Sequence, residues 1–238
     1  RSINKINGET STVGQMKAAA ACLLDIHGQH EHQSLLYQDK QLAILDAYGK
    51  EMVQFIDAIE NGQIKTKIGV VLTDKPEAMA LERARKAGIP AVCVERKKCS
   101  TKEEFEQKLV EQLKKYNVGL VVLAGFMRIL SPYFVNEFKN CILNIHPSLL
   151  PSFGGAHAHR DVLAYGVKVS GCTVHFVDEG MDSGPIIMQK AVPVLDDDTE
   201  ETLSARVLEQ EHIIYPKVIE LYLAGKIHVN GRHVTIDD

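Results

Sequence analysis

The sequence predicts an α/β protein, an open and mostly parallel sheet with helices on both faces, and three observations carry that expectation. From about residue 65, short apolar runs alternate with longer amphipathic ones, which is the rhythm of strand and helix units. Several short runs are apolar throughout, as strands covered on both faces are. The longer runs carry helix-start and helix-stop residues at their ends.

Taken in order, "IGVVLTD" (68–74) reads as a buried strand. "KPEAMALERARKAGIP" follows as a helix, with Asp74 as its cap, Pro76 in its first turn and Gly88 at its stop. "AVCV" is a short strand, and "STKEEFEQKLVEQLKKY" (100–116) is a surface helix. That helix has Ser100 and Glu103 in capping-box spacing and Phe105, Leu109 and Leu113 on one stripe. "VGLVVLAG" and "CILNI" (141–145) are two more buried strands. "VKVSGCTVHFV" (167–177) alternates as a half-buried strand does, and "GPIIMQKAVPV" (184–194) is suited to pair with it. Asp198 and Glu201 are expected to cap a long helix through Leu223, and "IHVNGRHVTI" reads as a hairpin turning at Asn230-Gly231.

The first 50 residues break this rhythm: an apolar run, a His/Gln cluster, then a helical pattern from about Lys40 to Glu60. We therefore expect two segments, 1–50 and 51–238, joined within that helix.

Composition narrows the function classes. A chain of 238 residues with 45% hydrophobic and 24% charged residues can bury a full core. Its net charge is −4 and it has no long lysine or arginine block, so no nucleic-acid partner is expected. No apolar run nears the ~18 residues of a membrane span, and the opening "RSINKINGET" lacks a secretion signal's apolar centre. Five cysteines at 22, 93, 99, 141 and 172 show no C-x-x-C spacing, which argues against a disulfide framework and against structural zinc. The expectation is a cytoplasmic protein acting on small molecules, as a monomer or homodimer, with no membrane partner and no metal.

One stretch draws attention to chemistry. In "NIHPSLLP", Asn144 and His146 stand at i and i+2 at the end of a strand, so both side chains point to one side. An amide can donate to a developing oxyanion while an imidazole exchanges a proton near neutral pH. The plainer alternative is that His146 only hydrogen-bonds a loop. Asp182, in "DEGMDSGPI", is flanked by Gly180 and Gly184 and could orient that imidazole. His175, between Val174 and Phe176 on an alternating strand, is expected to be structural. His157 and His159 fall in a predicted loop and lack the further ligands that zinc needs.

The motifs "VVLAGFMRILSP", "NIHPSLLPSF", "HAHR", "VSGCTVHFVDEGMDSGPII" and "QEHIIYP", in this order, resemble the glycinamide ribonucleotide formyltransferase family over about residues 53–238. The resemblance implies a Rossmann-like formyltransferase fold. It also implies formyl transfer from 10-formyltetrahydrofolate to glycinamide ribonucleotide in purine biosynthesis, with Asn144, His146 and Asp182 as the catalytic trio. Met127, Arg128, Ile129 and Leu130 would line the folate pocket with Val177, Asp178, Glu179 and Gly180, Arg128 facing the folate carboxylates. Gly49, Lys50, Ile145, Pro147 and Glu211 would bind the nucleotide, Glu211 at the ribose hydroxyls.

The sequence departs from the family at two places. The first strand is not recognisable, and the phosphate-loop positions hold Gly49, Lys50 and Glu51. A carboxylate at Glu51 would repel a phosphate by roughly 4 kcal/mol at ~4 Å and an effective dielectric near 20. Gly154-Gly155-Ala156 replaces the family's Pro-Gly-Leu, a change expected to loosen that loop. Residues 1–50, above all "DIHGQHEHQSLL", resemble a fragment of the RecN family of DNA-repair ATPases, without any phosphate-binding Gly-Lys motif. The chain thus reads as a chimera in which "CLLDIH" (22–27) could stand in for the lost strand. The alternatives are a formyltetrahydrofolate hydrolase, or a repair-related binding segment joined to an inactive formyltransferase fold.

Overall fold

The computed structural model describes residues 5–6, 9–10, 41–46 and 66–237. Two compact units are present, Arg1–Gln33 and Ser34–Asp238. In the first, β1 (Lys5–Ile6) pairs antiparallel with β2 (Glu9–Thr10).

The second unit is built on a seven-stranded sheet. Its strands are β3 (Gln41–Asp46), β4 (Ile68–Thr73), β5 (Ala91–Cys93), β6 (Val118–Ala124), β7 (Ile142–His146), β8 (Val169–Phe176) and β9 (Ile186–Pro193). They lie in the order β5-β4-β3-β6-β7-β8-β9. All pairings from β5 to β7 are parallel, and β7-β8 and β8-β9 are antiparallel. The helices are α1 (Met79–Lys86), α2 (Lys102–Lys115), α3 (Pro132–Glu137), α4 (Ala158–Tyr165) and α5 (Glu200–Leu223). A hairpin, β10 (Ile227–Asn230) with β11 (His233–Ile236), turns at Gly231 with φ 60°. Among the described residues no helix is long and apolar enough to cross a membrane.

The central strand corrects the sequence reading. "QLAILD" was expected to begin a helix running from about Lys40 to Glu60, yet it forms β3, hydrogen-bonded between β4 and β6. The first strand is therefore present, on the N-terminal side of residue 51. Residues 22–27 lie outside the described residues, and the slot they were expected to fill is occupied. Leu42, Ala43, Ile44 and Leu45 are each at most 1% exposed. Leu42 and Ile44 pack on one face with Leu120, Val122 and, from α5, Val207 and Val218. Ala43 and Leu45 pack on the other with Val121, Leu123 and, from α2, Phe105 and Leu109.

Three caps also differ from expectation. Helix α1 begins later, at Met79, and Asp74 does not cap it; its N-cap is Ala78, which makes no side-chain cap. In α2 the box is shifted by one residue. Thr101 accepts from the Glu104 N–H, and the Glu104 carboxylate accepts from the Ser100 N–H. In α5, Thr199 and Thr202 cap each other reciprocally. Asp198 instead accepts from both Nη atoms of Arg206, whose guanidinium holds its carboxyl well below the usual carboxylate range.

Strand β8 is buried on both faces from Ser170 to Phe176, not half-buried. Cys172, Val174 and Phe176 join the core, while the polar alternates lie under the loop that follows β7. Thr173 shows how: its hydroxyl donates to the Ser148 carbonyl and accepts from the Leu150 N–H. The alternation was real, but its polar side faces the loop after β7 and Asn144 of β7 instead of water.

The chain runs from β3 outward to β4 and β5, then crosses back to β6 on the far side of β3. That is a topological switch point, and ligands of open α/β sheets bind beyond the strand carboxyl ends there. In native-state hydrogen exchange, the amides of Leu42 to Leu45 are expected in the slowest class, with those of β6; fast exchange there would show that β3 is not the central strand.

Candidate active site

At this carboxyl edge a cavity of about 430 Å³ opens, walled by the loops after β6, β7 and β8 and by α4 and α5. Each loop follows a buried strand, so the sheet fixes where its first residues lie. Asn144 and His146, at i and i+2 on β7, both line the cavity.

The two polar side chains of β7 have different partners. The antiparallel register sets Asn144 opposite His175. The His175 Nδ1–H donates to the Phe176 carbonyl at 2.7 Å, which leaves Nε2 as an acceptor for the Asn144 side-chain N–H at 3.3 Å. Burial, the largest influence, lowers the His175 pKa below the usual histidine value and so favours this neutral form. Asn144 then has its second N–H free to point into the cavity. His146 is 5% exposed. Its Nε2–H donates to the Phe153 carbonyl at 2.9 Å, and its Nδ1 stands 3.4 Å from Oδ2 of Asp182. The ring makes both contacts as hydrogen bonds when it carries both protons.

Asp182 has φ 51°, unusual for a residue with a side chain, and is held by several contacts. Its Oδ2 accepts from the Gly155 N–H at 2.8 Å, and Gly155 has φ 95°. The Gly-Gly-Ala stretch expected to loosen its loop thus supplies a backbone donor to the carboxylate. Asp178 closes the same loop by accepting from the Gly180 N–H and the Ser183 hydroxyl, while Arg232 of the hairpin donates to the Ser183 carbonyl. A side chain at Gly184 would collide with the Phe176 carbonyl, which explains glycine where the loop re-enters the sheet.

The loop after β6 is fastened by two carboxylates. Buried Glu106 of α2 accepts from the Ser131 N–H and its hydroxyl, and Ser131 in turn caps α3. Asp74, at the end of β4, accepts from Nε and Nη2 of Arg128 at 3.0 and 2.8 Å. This is the contact that Asp74 makes in place of capping α1.

Of the residues expected from the sequence, Met127, Arg128, Ile129 and Leu130 line the cavity, as do Val177, Asp178 and Gly180. Ile145, Pro147 and buried Glu211 line it as well. Glu179 is exposed and is not part of the wall. Gly49, Lys50 and Glu51, and the histidines at 27, 30 and 32, lie outside the described residues. Among the described residues no group of three or more His, Cys, Asp or Glu side chains is placed to hold a metal ion.

His159 was read as a loop residue and instead lies in the first turn of α4, on the cavity wall. Its Nδ1 is buried without a partner, and burial lowers its pKa. Cys172 is fully buried; burial first, and the Glu211 charge second, push its thiol up to about 12. His175, expected to be structural, holds Asn144 through a contact that strand register sets, and buried Glu106 was not singled out in the sequence.

The formyl transferase family pattern matches residues 40–219. The chain is 39% identical over 196 residues to the phosphoribosylglycinamide formyltransferase of Escherichia coli, covering 82% of this chain and 92% of that protein. It is 44% identical over 191 residues to the trifunctional purine biosynthetic protein adenosine-3 of Chironomus tentans, covering 79% of this chain but only 14% of that much longer protein. A crystal structure of glycinamide ribonucleotide transformylase 1 from Symbiobacterium toebii superposes with a TM-score of 0.82 at 44% identity, covering 85% of this chain and 96% of that one. The match begins at residue 40 and so takes in β3, the strand that the sequence reading placed in a helix. With a cavity at the switch point and a match over most of its length, the chain belongs to the phosphoribosylglycinamide formyltransferase family.

Proposed function

We propose that this chain transfers the formyl group of 10-formyltetrahydrofolate to the amine of glycinamide ribonucleotide, and that Asn144, His146 and Asp182 carry the chemistry. The observation behind this reading is the convergence of an amide, an imidazole and a carboxylate at one end of a largely apolar cavity. The amine nitrogen attacks the formyl carbon, a new C–N bond forms, and the formyl oxygen becomes an oxyanion. The second N–H of Asn144 and a proton on His146 stabilise it. The C–N10 bond then breaks, with one proton passing from the attacking amine to N10 and Asp182 steadying the imidazole during the exchange.

In the free protein the Phe153 carbonyl holds one nitrogen of His146 and Asp182 faces the other. Engaging substrate therefore exchanges the Phe153 hydrogen bond for one to the formyl oxygen. Met127 to Leu130, Val177, Asp178 and Gly180 hold the folate. Ile145, Pro147 and Glu211 hold the nucleotide together with Gly49 and Lys50, Glu211 accepting from ribose hydroxyls.

The test is formyl transfer by the purified full chain, with folding checked by circular dichroism. Wild type is expected to form formylated product, and His146→Ala to lose about 10²-fold or more in kcat while still binding a reduced folate. A folded wild type that binds folate but only hydrolyses the formyl donor, or does nothing, overturns the reading.

A pH dependence follows from His175. Its pKa is lowered in the folded state, so between the folded value and the unfolded value near ~6.5 the unfolded chain binds the proton that the folded chain excludes. Its contribution to stability is complete above that unfolded value and declines as the pH falls through it. The urea midpoint is expected to drop from pH 7 to pH 5, and His175→Gln to make that drop shallower by up to about one proton. An unchanged slope in the variant would show that His175 is not held neutral.

A further inference from the structure

We propose that Asp74 sets how strongly the cavity takes ligands with an anionic tail, by competing with that tail for the guanidinium of Arg128. The inference rests on the folate reading above and adds to it a residue that is not itself part of the cavity wall but holds one that is.

Charge within the wall makes the question pointed. Among the described residues that line the cavity, Arg128 is the lone lysine or arginine, set against the carboxylates of Asp178, Asp182 and Glu211. A carboxylate tail entering this mouth meets repulsion except where Arg128 balances it. Yet Arg128 is already paired: Nε and Nη2 both donate to Oδ2 of Asp74. The two members differ in exposure, the Asp74 side chain being 7% exposed and that of Arg128 50%. The acid is thus built into the end of β4, whereas the guanidinium reaches out from it at the cavity mouth. A tail carboxylate must either share the guanidinium with Asp74 or draw it away, and in both cases it feels the Asp74 charge.

The sign depends on whether Asp74 mainly positions Arg128 or mainly neutralises it. Asp74 is only one of the two carboxylates that fasten the loop carrying Arg128. Leu130 is buried, and Ser131 is clamped by Glu106 one residue beyond. An asparagine at position 74 also retains an oxygen that can accept from the guanidinium, so Asp74→Asn removes the charge and keeps a positioning contact. Neutralisation therefore dominates, and lifting it strengthens the hold on an anion.

The experiment measures binding of two unreactive reduced-folate analogues to the full chain, one with its glutamate tail and one with the tail carboxylates converted to amides. In Asp74→Asn, the anionic analogue is expected to bind about three- to tenfold more tightly, a range set by the energies of partly exposed ion pairs, while the amidated analogue binds as in wild type. In an Arg128→Ala background, with no guanidinium to compete for, the same substitution is expected to tighten the anionic analogue less than in the Arg128 protein and to leave the amidated one unchanged. An Asp74→Asn protein in which the anionic analogue binds no better, or in which both analogues shift alike, overturns the proposal. If neither analogue binds wild type, the folate reading itself has failed, and the proposal falls with it.

Discussion

The slot between β4 and β6 is the constraint on which the second unit depends. A strand in the middle of a parallel sheet must supply hydrogen-bonding partners to neighbours on both sides, and an empty slot would leave two rows of backbone groups unpaired. Strand β3 meets the demand in parallel register with β4 through Leu42 to Leu45 and with β6 through Gln41 to Asp46. Burial supplies the energy, because Leu42, Ile44 and Leu45 are almost wholly excluded from water and each contributes about 1.5–3 kcal/mol. Since β3 and β6 are the strands from which the chain departs in opposite directions, filling this slot also creates the crevice in which the cavity lies.

The same strand shows why part of the fold was hidden in the sequence. Its four apolar residues are flanked by Gln41 and Asp46, and Leu42 with Leu45 also satisfies the spacing of a helix stripe. A run that short fits either period, and only the two strands beside it decide the matter. The runs 68–73 and 118–124 were legible because each carries an uninterrupted valine-rich apolar stretch, and the first leads into a helix with a recognisable stop at Gly88. Cap positions slipped for a related reason. Asp74, Ser100 and Asp198 are all good caps in isolation, but Asp74 and Asp198 are claimed by arginines 54 and 8 residues away. Each carboxylate is drawn to a guanidinium that sequence spacing does not reveal, which leaves the helix start to other groups.

At the site, what could be read was local and what was missed was long-range. Asn144 and His146 were visible as an i, i+2 pair at a strand end, and Asp182 through its flanking glycines and the family resemblance. The partner of Asn144, His175, lies 31 residues away and is set by the antiparallel register of β7 and β8; Ser131 is bound by Glu106 from 25 residues away. No pattern within one element reports such a pair. The His175 lone pair fixes the amide nitrogen of Asn144, so the neutral imidazole decides which end of Asn144 faces the cavity.

Two histidines on one cavity wall thus meet opposite surroundings. His175 is enclosed between a carbonyl that fixes its proton on Nδ1 and an amide that uses its lone pair, and burial keeps it uncharged. His146 meets oxygen at both nitrogens, and one of those oxygens, the Phe153 carbonyl, belongs to a loop tied down by Ser148. The first arrangement suits a fixed orienting group. The second suits a group that can exchange one partner, since a carbonyl acceptor can be replaced by another oxygen at little cost in hydrogen bonding. The polar face of β8 lies beneath the same loop: Thr173 holds Ser148 and Leu150 in its first half, while the Phe153 to Gly155 half carries the contacts to His146 and Asp182.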